Sequence, residues 1–230
     1  MLNLYLPEIA DLIIQSKHLV FFTGAGISTD SGLSDYRGPD GVWTRRDKGL
    51  PPKPSPNVKD VKPNKGHYSL VELQNLGLLK FLISQNVDNL HLKSGIKSDF
   101  LAELHGNHNL LKCIRCDLRY SKESVEWDDL KYGYGYRTHK PVSNQPRCPS
   151  CFGRLISSVV NFDDPMPEKE MKLAQEHTRM SDVFVVVGSS LVVQPAASFP
   201  LEAKNNGSIV IIINKGETPL DNISDYRVST

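Results

Sequence analysis

Short, nearly continuous apolar runs recur along this chain with helix-forming stretches between them, and they constrain its fold more than any other feature. The runs are Leu19–Phe22, Leu79–Ser84, Asp182–Val187 and Ser208–Ile213. Runs of this length fit strands that are buried on both faces, as in parallel sheets. Strands that alternate with helices are typical of βαβ units. We therefore expect an α/β fold in which helices cover both faces of a parallel sheet.

Length and charge limit the classes of protein to consider. The chain has 230 residues and a net charge of +1, with 39% hydrophobic residues. This length suits one large domain with a small insert, and the even charge balance gives no compositional support for nucleic-acid binding, although a local basic patch remains possible. No apolar run approaches the roughly 18 to 20 residues that a membrane span needs. Because Glu8, Asp11 and Lys17 interrupt the N-terminal apolar residues, a signal peptide is not expected either. The expectation is a soluble intracellular protein, cytoplasmic or nuclear, with no membrane partner.

The four cysteines form two C-x-x-C pairs, Cys113 with Cys116 and Cys148 with Cys151. Four thiolates in two close pairs can complete a tetrahedron around Zn²⁺ and leave no open position for catalysis. The spacing thus predicts one structural Zn²⁺ within a small insert at residues 110–156. An iron–sulfur cluster or a redox-active C-x-x-C pair is the alternative interpretation.

A glycine turn follows the first apolar run, at Gly24-Ala25-Gly26. Such a turn lets backbone N–H groups approach a pyrophosphate, and the start of a following helix would favour its charge. The full G-x-G-x-x-G pattern is absent because Thr29 stands where the third glycine would be. A purely structural turn therefore remains an alternative. Shortly afterwards, Tyr36 offers a flat ring, and Arg37 offers donors suited to phosphate or carboxylate.

Polar residues also follow the second apolar run, at the strand end where open α/β sheets bind ligands. They are Gln85, Asn86, Asp88 and His91. His105 occupies a similar place after Phe100-Leu101 and precedes a glycine. A single histidine is more often structural than catalytic, so these residues are candidates on position alone.

Taken together, the motifs resemble those of the sirtuin family of NAD-dependent protein-lysine deacylases. The matching stretches are G-A-G-I-S (24–28), S-G-L-S-D-Y-R-G-P (31–39), S-Q-N-V-D-N-L-H (84–91), L-H-G-N (104–107), V-G-S-S-L (187–191), I-N (213–214) and the two cysteine pairs. They occur in the family's order over nearly the whole chain. Asn161-Phe162-Asp163-Asp164 with Pro167, and Gly41-Val42-Trp43, look most like the class IV branch.

The resemblance implies a Rossmann-like NAD-binding domain at residues 1–109 and 157–230, with a small zinc-binding module at 110–156. It implies that His105 is the general base and that Asn86 and Asp88 are also catalytic. The residues implied to bind NAD are Gly24, Ala25, Gly26, Thr29, Tyr36, Arg37, Trp43, Gln85, Asn86, His105, Gly188, Ser190, Asn214 and Gly216. An acyl-lysine peptide would lie along Val160–Asp163 as an added strand.

The implied reaction gives nicotinamide, free lysine and 2′-O-acyl-ADP-ribose from NAD, water and an acylated-lysine protein. Removal of longer acyl chains and mono-ADP-ribosylation are alternatives on the same site, and a non-catalytic module that binds NAD or ADP-ribose is an alternative of another class. Two departures from the family pattern bear on this. Tyr36 replaces a common phenylalanine, and Phe162-Asp163-Asp164 replaces F-G-E, which leaves the acyl-chain preference open.

Overall fold

A computed structural model describes residues 5–58 and 60–229 of this protein. Its helices are α1 (Leu6–Gln15), α2 (Val42–Asp47), α3 (Lys65–Asn75), α4 (Leu90–Ser94), α5 (Asp129–Tyr132), α6 (Glu168–Met180) and α7 (Phe199–Asn205). Its strands are β1 (Leu19–Thr23), β2 (Leu79–Ser84), β3 (Leu101–Glu103), β4 (Leu110–Cys113), β5 (Arg119–Ser121), β6 (Leu155–Ser157), β7 (Val183–Val187), β8 (Ile209–Ile213) and β9 (Tyr226–Val228).

The chain divides into two compact units. The larger unit contains Met1–Gln85, Leu90–Leu104 and Glu168–Thr230, and the smaller one contains Asn86–Asn89 and His105–Pro167. The domain boundaries 1–109, 110–156 and 157–230 stay a prediction, and positions 1–4 and 230 lie outside the described residues.

The larger unit is built on a six-stranded sheet in the order β3-β2-β1-β7-β8-β9. Every neighbouring pair in this sheet is parallel. The four strands expected from the apolar runs form its centre, and the short strands β3 and β9 form its edges. Because all strands run the same way, their carboxyl ends share one edge of the sheet.

Helices cover both faces of this sheet, as expected. Phe21 belongs to the same buried cluster as Ile9 of α1 and Leu70 of α3. Its neighbour Phe22 contacts Phe199 of α7 on the other face, with ring centres 6.4 Å apart. Successive strand residues point to opposite faces, so these contacts place α1 and α3 on one side and α7 on the other. The α/β architecture with a parallel sheet is confirmed.

The smaller unit has a three-stranded antiparallel sheet in the order β5-β4-β6. Its core joins Leu111 and Leu155 to Val125 and Trp127. The indole N–H of Trp127 donates to the carbonyl oxygen of Gly133 at 2.9 Å, which satisfies the only polar atom of that buried ring. Two of the four cysteines, Cys113 and Cys148, belong to this core.

None of the helices in the described part of the chain combines the length and the apolar character that a membrane crossing requires.

Candidate functional site

The glycine turn lies at the carboxyl end of β1 and packs against the backbone that follows β7. Gly24 N–H donates to the carbonyl oxygen of Val187 at 3.1 Å, and Gly26 N–H donates to that of Gly188 at 2.8 Å. A Cβ on Gly26 would lie 2.6 Å from the Cα of Gly188, so no larger residue fits there. The close approach of two backbones therefore requires glycine at this position.

A 3₁₀ helix, Ala25–Ser31, continues from this turn. It ends at Gly32, whose φ of 90° lies in the left-handed region. The hydroxyl of Thr29 donates to the carbonyl oxygen of Gly26 at 2.9 Å and so ties this helix back to the turn. The backbone N–H groups of a short helix can still face an anion, but its dipole is small.

Two further segments of predicted cofactor-binding residues lie at the same sheet edge. Gly188 follows β7 with a φ of 62°, and its N–H donates to the carbonyl oxygen of Ile213. Ser190 is half-buried. After β8, the side chain of Asn214 donates to the carbonyl oxygen of Gly216 at 2.8 Å. The larger unit thus brings the turn after β1 and the segments after β7 and β8 to one edge.

Gln85 connects three strand ends at this edge of the sheet. Its side-chain amide donates to the hydroxyl of Ser189 at 2.7 Å, and its backbone N–H donates to the carbonyl oxygen of Thr23 at 2.9 Å. The end of β2 is thereby tied to the ends of β1 and β7.

Tyr36 and Arg37, in the loop that follows the 3₁₀ helix, form a cluster with Trp43 of α2. The Tyr36 and Trp43 ring centres are 4.9 Å apart, and the Arg37 guanidinium lies 4.9 Å from the centre of the Trp43 ring. Arg37 also contacts Asp47, with 2.7 Å between Nη1 and Oδ2. Hydrogen bonds from Arg37 and Arg46 lower the pKa of Asp47, so this carboxylate stays ionised beside Arg37.

Asn86, Asp88 and His105 lie in the smaller unit. Asn86 is buried, and the other two side chains are half-buried. The segments that carry these residues are joined by hydrogen bonds: His108 N–H donates to the carbonyl oxygen of Val87 at 2.8 Å, and the Asn107 amide donates to Asn89 Oδ1 at 2.9 Å. The structure therefore brings the three predicted catalytic residues into one compact unit.

The backbone around His105 is fixed by the segment that follows β6. Val160 N–H donates to the carbonyl oxygen of His105 at 2.9 Å. The next residue, Gly106, has a φ of 78°, and a Cβ there would lie 2.5 Å from the carbonyl carbon of Ser158. The close packing explains why glycine follows His105. Within the predicted peptide-binding stretch, Phe162 is largely exposed, at 77%.

The four cysteines meet in the smaller unit, with their sulfur atoms all within 4.8 Å of one another. The Sγ atoms of Cys113 and Cys151 are 3.4 Å apart, and those of Cys116 and Cys148 are 3.6 Å apart. A tetrahedral zinc site with Zn–S bonds of about 2.3 Å has sulfur atoms about 3.8 Å apart. The cluster fits zinc, and the hydroxyl of Tyr120 lies 3.4 Å from Cys148 Sγ as an outer partner.

Two features of the site were not predicted from the sequence. Asp47 contacts Arg37, but nothing in the pattern marks an aspartate ten residues away as its partner. His91 was expected at the ligand edge, whereas its side chain is buried, only 3% exposed, and contacts Thr23. Burial lowers the pKa of His91 to about 3, and the nearby His67 contributes in the same direction.

Comparisons with known proteins agree with these observations. A model of the Sir2 family matches residues 53–195. The NAD-dependent protein deacetylase SRT1 of Arabidopsis thaliana is 40% identical over 223 residues, covering 96% of this chain and 45% of that protein. The NAD-dependent protein deacetylase of Caldivirga maquilingensis is 39% identical over 232 residues, covering 94% of this chain and 85% of that protein.

Solved structures give the same result. A Sir2 structure described with a p53 peptide and NAD⁺ superposes with a TM-score of 0.73 at 33% identity, covering 97% of this chain and 92% of that one. This chain spans less than half the length of the SRT1 proteins of Arabidopsis thaliana and Oryza sativa, at 45% and 44%.

A parallel sheet with a glycine turn at its carboxyl edge, together with a four-cysteine unit, defines an α/β protein of the Rossmann-like class with a candidate zinc centre. More particularly, the chain belongs to the Sir2 family, the sirtuins. The resemblance found in its motifs is confirmed at the level of the family. Its curated relatives are named NAD-dependent protein deacetylases or deacylases.

Proposed function

We propose that this chain is an NAD-dependent protein-lysine deacylase that releases nicotinamide, free lysine and 2′-O-acyl-ADP-ribose. The observation that carries the proposal is the joining of the Asn86–Asn89 and His105–Asn109 segments by hydrogen bonds, which holds the three predicted catalytic residues in one unit. Membership of the Sir2 family supports it, because the family members named above are NAD-dependent deacetylases and deacylases.

The residues at the sheet edge suit a dinucleotide. Gly24 and Gly26 present backbone without side chains, so a dinucleotide could lie close to the turn, whose shape is fixed because both glycine N–H groups donate to carbonyl oxygens at the end of β7 and just after it. Arg37 would add a charged donor for the cofactor. The rings of Trp43 and Tyr36 would shield the reacting ribose of NAD from water. Ser190, Asn214 and Gly216 would hold the other half of the cofactor, beyond the Gly188 loop. NAD would supply the ribose carbon to which the acyl oxygen is transferred.

His105 would act as the general base and remove a proton from a ribose hydroxyl, a role typically worth about 10²–10⁴-fold in rate. Asn86 and Asp88 would orient the ribose and the carboxamide by hydrogen bonds, so that positioning contributes much of the acceleration. An acylated-lysine peptide would add to the exposed backbone near Val160–Asp163, in the manner of β-augmentation. The four cysteines would hold one structural Zn²⁺ and take no part in the reaction, because four thiolates leave no open coordination position.

The test is nicotinamide release and lysine deacylation with an acetylated peptide, measured for the wild type and for His105→Ala. We expect the variant to lose at least about 100-fold in turnover while its affinity for NAD, measured by calorimetry, stays within a few-fold. Asn86→Ala should lower both nicotinamide release and turnover. His139→Ala, which removes an exposed histidine of the same unit, is the matched control.

Two outcomes would contradict the proposal. Full activity in a correctly folded His105→Ala protein would remove the general base. A wild-type protein that binds NAD or ADP-ribose but does not cleave it would instead be a binding module. Long-chain acyl peptides and NAD-dependent labelling of protein, assayed in parallel, separate deacetylation from the other two activities of this site.

We also propose that the chain belongs to the class IV branch. The support is the stretch Asn161-Phe162-Asp163-Asp164 with Pro167, in which Asp164 accepts hydrogen bonds from the backbone and the side chain of Asn161 at 3.1 Å. A preference for one acyl chain length in the peptide assays would test this assignment.

The four unlinked cysteines support a reducing intracellular compartment, and a net charge of +1 gives no support for a nucleic-acid partner.

A further inference from the structure

Two buried polar side chains of the larger unit, Thr23 and His91, bond to each other directly behind the glycine turn. Thr23 is completely buried, and His91 is 3% exposed. Thr23 Oγ1 and His91 Nε2 are 2.9 Å apart. Burying a polar group without a partner costs free energy, so this hydrogen bond stabilises both side chains in their buried positions.

Thr23 is the last residue of β1 and immediately precedes the turn. Its backbone is fixed by the sheet, since it pairs with Ser84 of β2 and Val187 of β7. Its side chain is fixed by His91, which lies in α4. The start of the turn is therefore anchored through both backbone and side chain.

The other end of the turn is held by a residue that neighbours the same histidine cluster. The side-chain amide of Asn64 donates to the carbonyl oxygen of Ile27 at 2.7 Å. Asn64 Oδ1 lies 3.1 Å from His67 Nδ1, and the rings of His67 and His91 are centred 5.0 Å apart. One continuous group of polar side chains thus reaches both Thr23 and Ile27, the residues that flank Gly24–Gly26.

We propose that Thr23, His91, His67 and Asn64 form a clamp that holds the Gly24–Gly26 turn in its cofactor-binding shape. The inference rests on the proposed function for the identity of the cofactor, NAD. These four side chains are positioning residues, because they act on the turn and not on the ligand. The loop that follows β7 supports the turn from its other side through the contact between Gly26 and Gly188.

The contact of the clamp with Thr23 is made by an uncharged group, His91. Burial lowers the pKa of His91 to about 3, so His91 is neutral at pH 7. A neutral imidazole keeps one N–H donor and one acceptor, and its bond to the Thr23 hydroxyl does not change across the physiological pH range.

The test compares Thr23→Val with Thr23→Ser. Valine keeps the shape and the strand preference of threonine but loses the hydroxyl, whereas serine keeps the hydroxyl. The matched control is Thr178→Val in α6, because Thr178 is also completely buried and its hydroxyl has no hydrogen-bond partner within the described residues. Purified full-length proteins are used throughout.

We expect Thr23→Val to raise the KM and the Kd for NAD roughly tenfold, in line with the loss of one buried hydrogen bond whose partner is left unsatisfied. Its kcat at saturating NAD should stay within about twofold, because the chemical groups are untouched. In hydrogen exchange without NAD, the amides of residues 24–28 should exchange roughly tenfold faster. Thr23→Ser should behave largely like the wild type in both measurements, because it keeps the hydroxyl. Thr178→Val should show neither effect.

Equal KM values for Thr23→Val and the wild type, with only a lower melting temperature, would overturn the clamp and leave a structural role for Thr23. Unchanged exchange of the 24–28 amides would overturn it as well. If the wild type does not bind NAD, the proposed function fails, but the exchange comparison still decides whether the clamp exists.

Discussion

The backbone N–H of Gly26 donates to the carbonyl oxygen of Gly188 across 2.8 Å, and neither residue has room for a side chain. This contact joins the turn after β1 to the turn after β7, the two central strands of the sheet. A Cβ on Gly188 would lie 2.6 Å from the carbonyl carbon of Gly26, so the two backbones pack directly against each other. The geometry of both turns depends on this contact.

Gly26→Ala should therefore destabilise the larger unit and weaken NAD binding together. Forcing a methyl group against backbone atoms typically costs about 1–3 kcal/mol, which corresponds to roughly 2–10 °C in melting temperature for a chain of this size. Differential scanning calorimetry measures the first effect, and titration with NAD measures the second. In Gly216→Ala the added Cβ meets open space, so its melting temperature should stay near that of the wild type. A melting temperature of Gly26→Ala equal to that of Gly216→Ala would contradict the steric argument.

Zinc should be required for the smaller unit to fold. Cys148 is buried in the core of that unit and shares the cluster with Cys116, so Cys148→Ser should lose bound zinc and the packing around Trp127. Elemental analysis should give about one zinc per wild-type chain, and the variant should show much less. Tryptophan fluorescence should change on treatment with a chelator.

Ser150→Ala is the control for this experiment, since Ser150 neighbours the cluster but does not belong to it. Its zinc content should match that of the wild type. Folded wild-type protein without zinc, purified under reducing conditions, would refute the assignment of the cysteines.

Asp47→Asn should tighten NAD binding at low ionic strength. Asp47 holds Arg37 at 2.7 Å, and a cofactor that uses Arg37 would have to compete with this carboxylate. Both side chains are well exposed, so the gain in affinity should be only about two- to fivefold and should decline as salt is added. Asp40→Asn removes the same charge at a nearby position but releases Lys53 and Arg45 instead of Arg37. Equal affinities of the two variants for NAD would show that Arg37 is not the competing group.

Stability should fall as the pH is lowered from 7.5 to 5.5. Burial lowers the pKa of His91 to about 3 and also lowers the pKa values of His18 and His177. In the unfolded chain these histidines bind protons near pH 6.5, whereas in the folded chain they bind them only at lower pH, so their stabilising contribution is present above pH 6.5 and is lost as the pH falls below it. Each proton contributes a slope of up to about 1.4 kcal/mol per pH unit in the free energy of unfolding.

Urea unfolding at pH 7.5, 6.5 and 5.5 checks this dependence. His18→Asn should give a shallower slope than the wild type, because one of the three groups is removed. A free energy of unfolding that rises or stays level as the pH falls would contradict the lowered pKa values of these three histidines.

The central sheet could be predicted from the sequence because its strands are buried on both faces. β2 occupies Leu79–Ser84, the same residues as the apolar run, and Gly77 ends the preceding helix region with a φ of 71°. The edge strands were not found, since β3 and β9 have only three residues each and carry no distinct pattern. Their pairing depends on neighbours that are distant in sequence.

The candidate site could be predicted where its residues form a distinct sequence pattern, but not where it depends on single residues of common types. Paired cysteines and glycines after a strand are rare patterns, and the structure brings each set together. The contact between Thr23 and His91 could not be predicted, because a threonine at the end of a strand and a histidine in a short helix fill many roles. Only the fold shows that these two residues are buried side by side.

The pairing of β1 with β7 has a consequence for synthesis of the chain. Val183 of β7 leaves the ribosome about 160 residues after Leu19 of β1, although the two residues are neighbours in the sheet. At a rate of about 5–20 residues per second, β1 waits roughly 8–30 s for this partner. During that interval one side of a strongly apolar strand has no partner, while the residues that carry the cysteines have already emerged. The pairing of β1 with β7 can therefore form only after translation has passed residue 187.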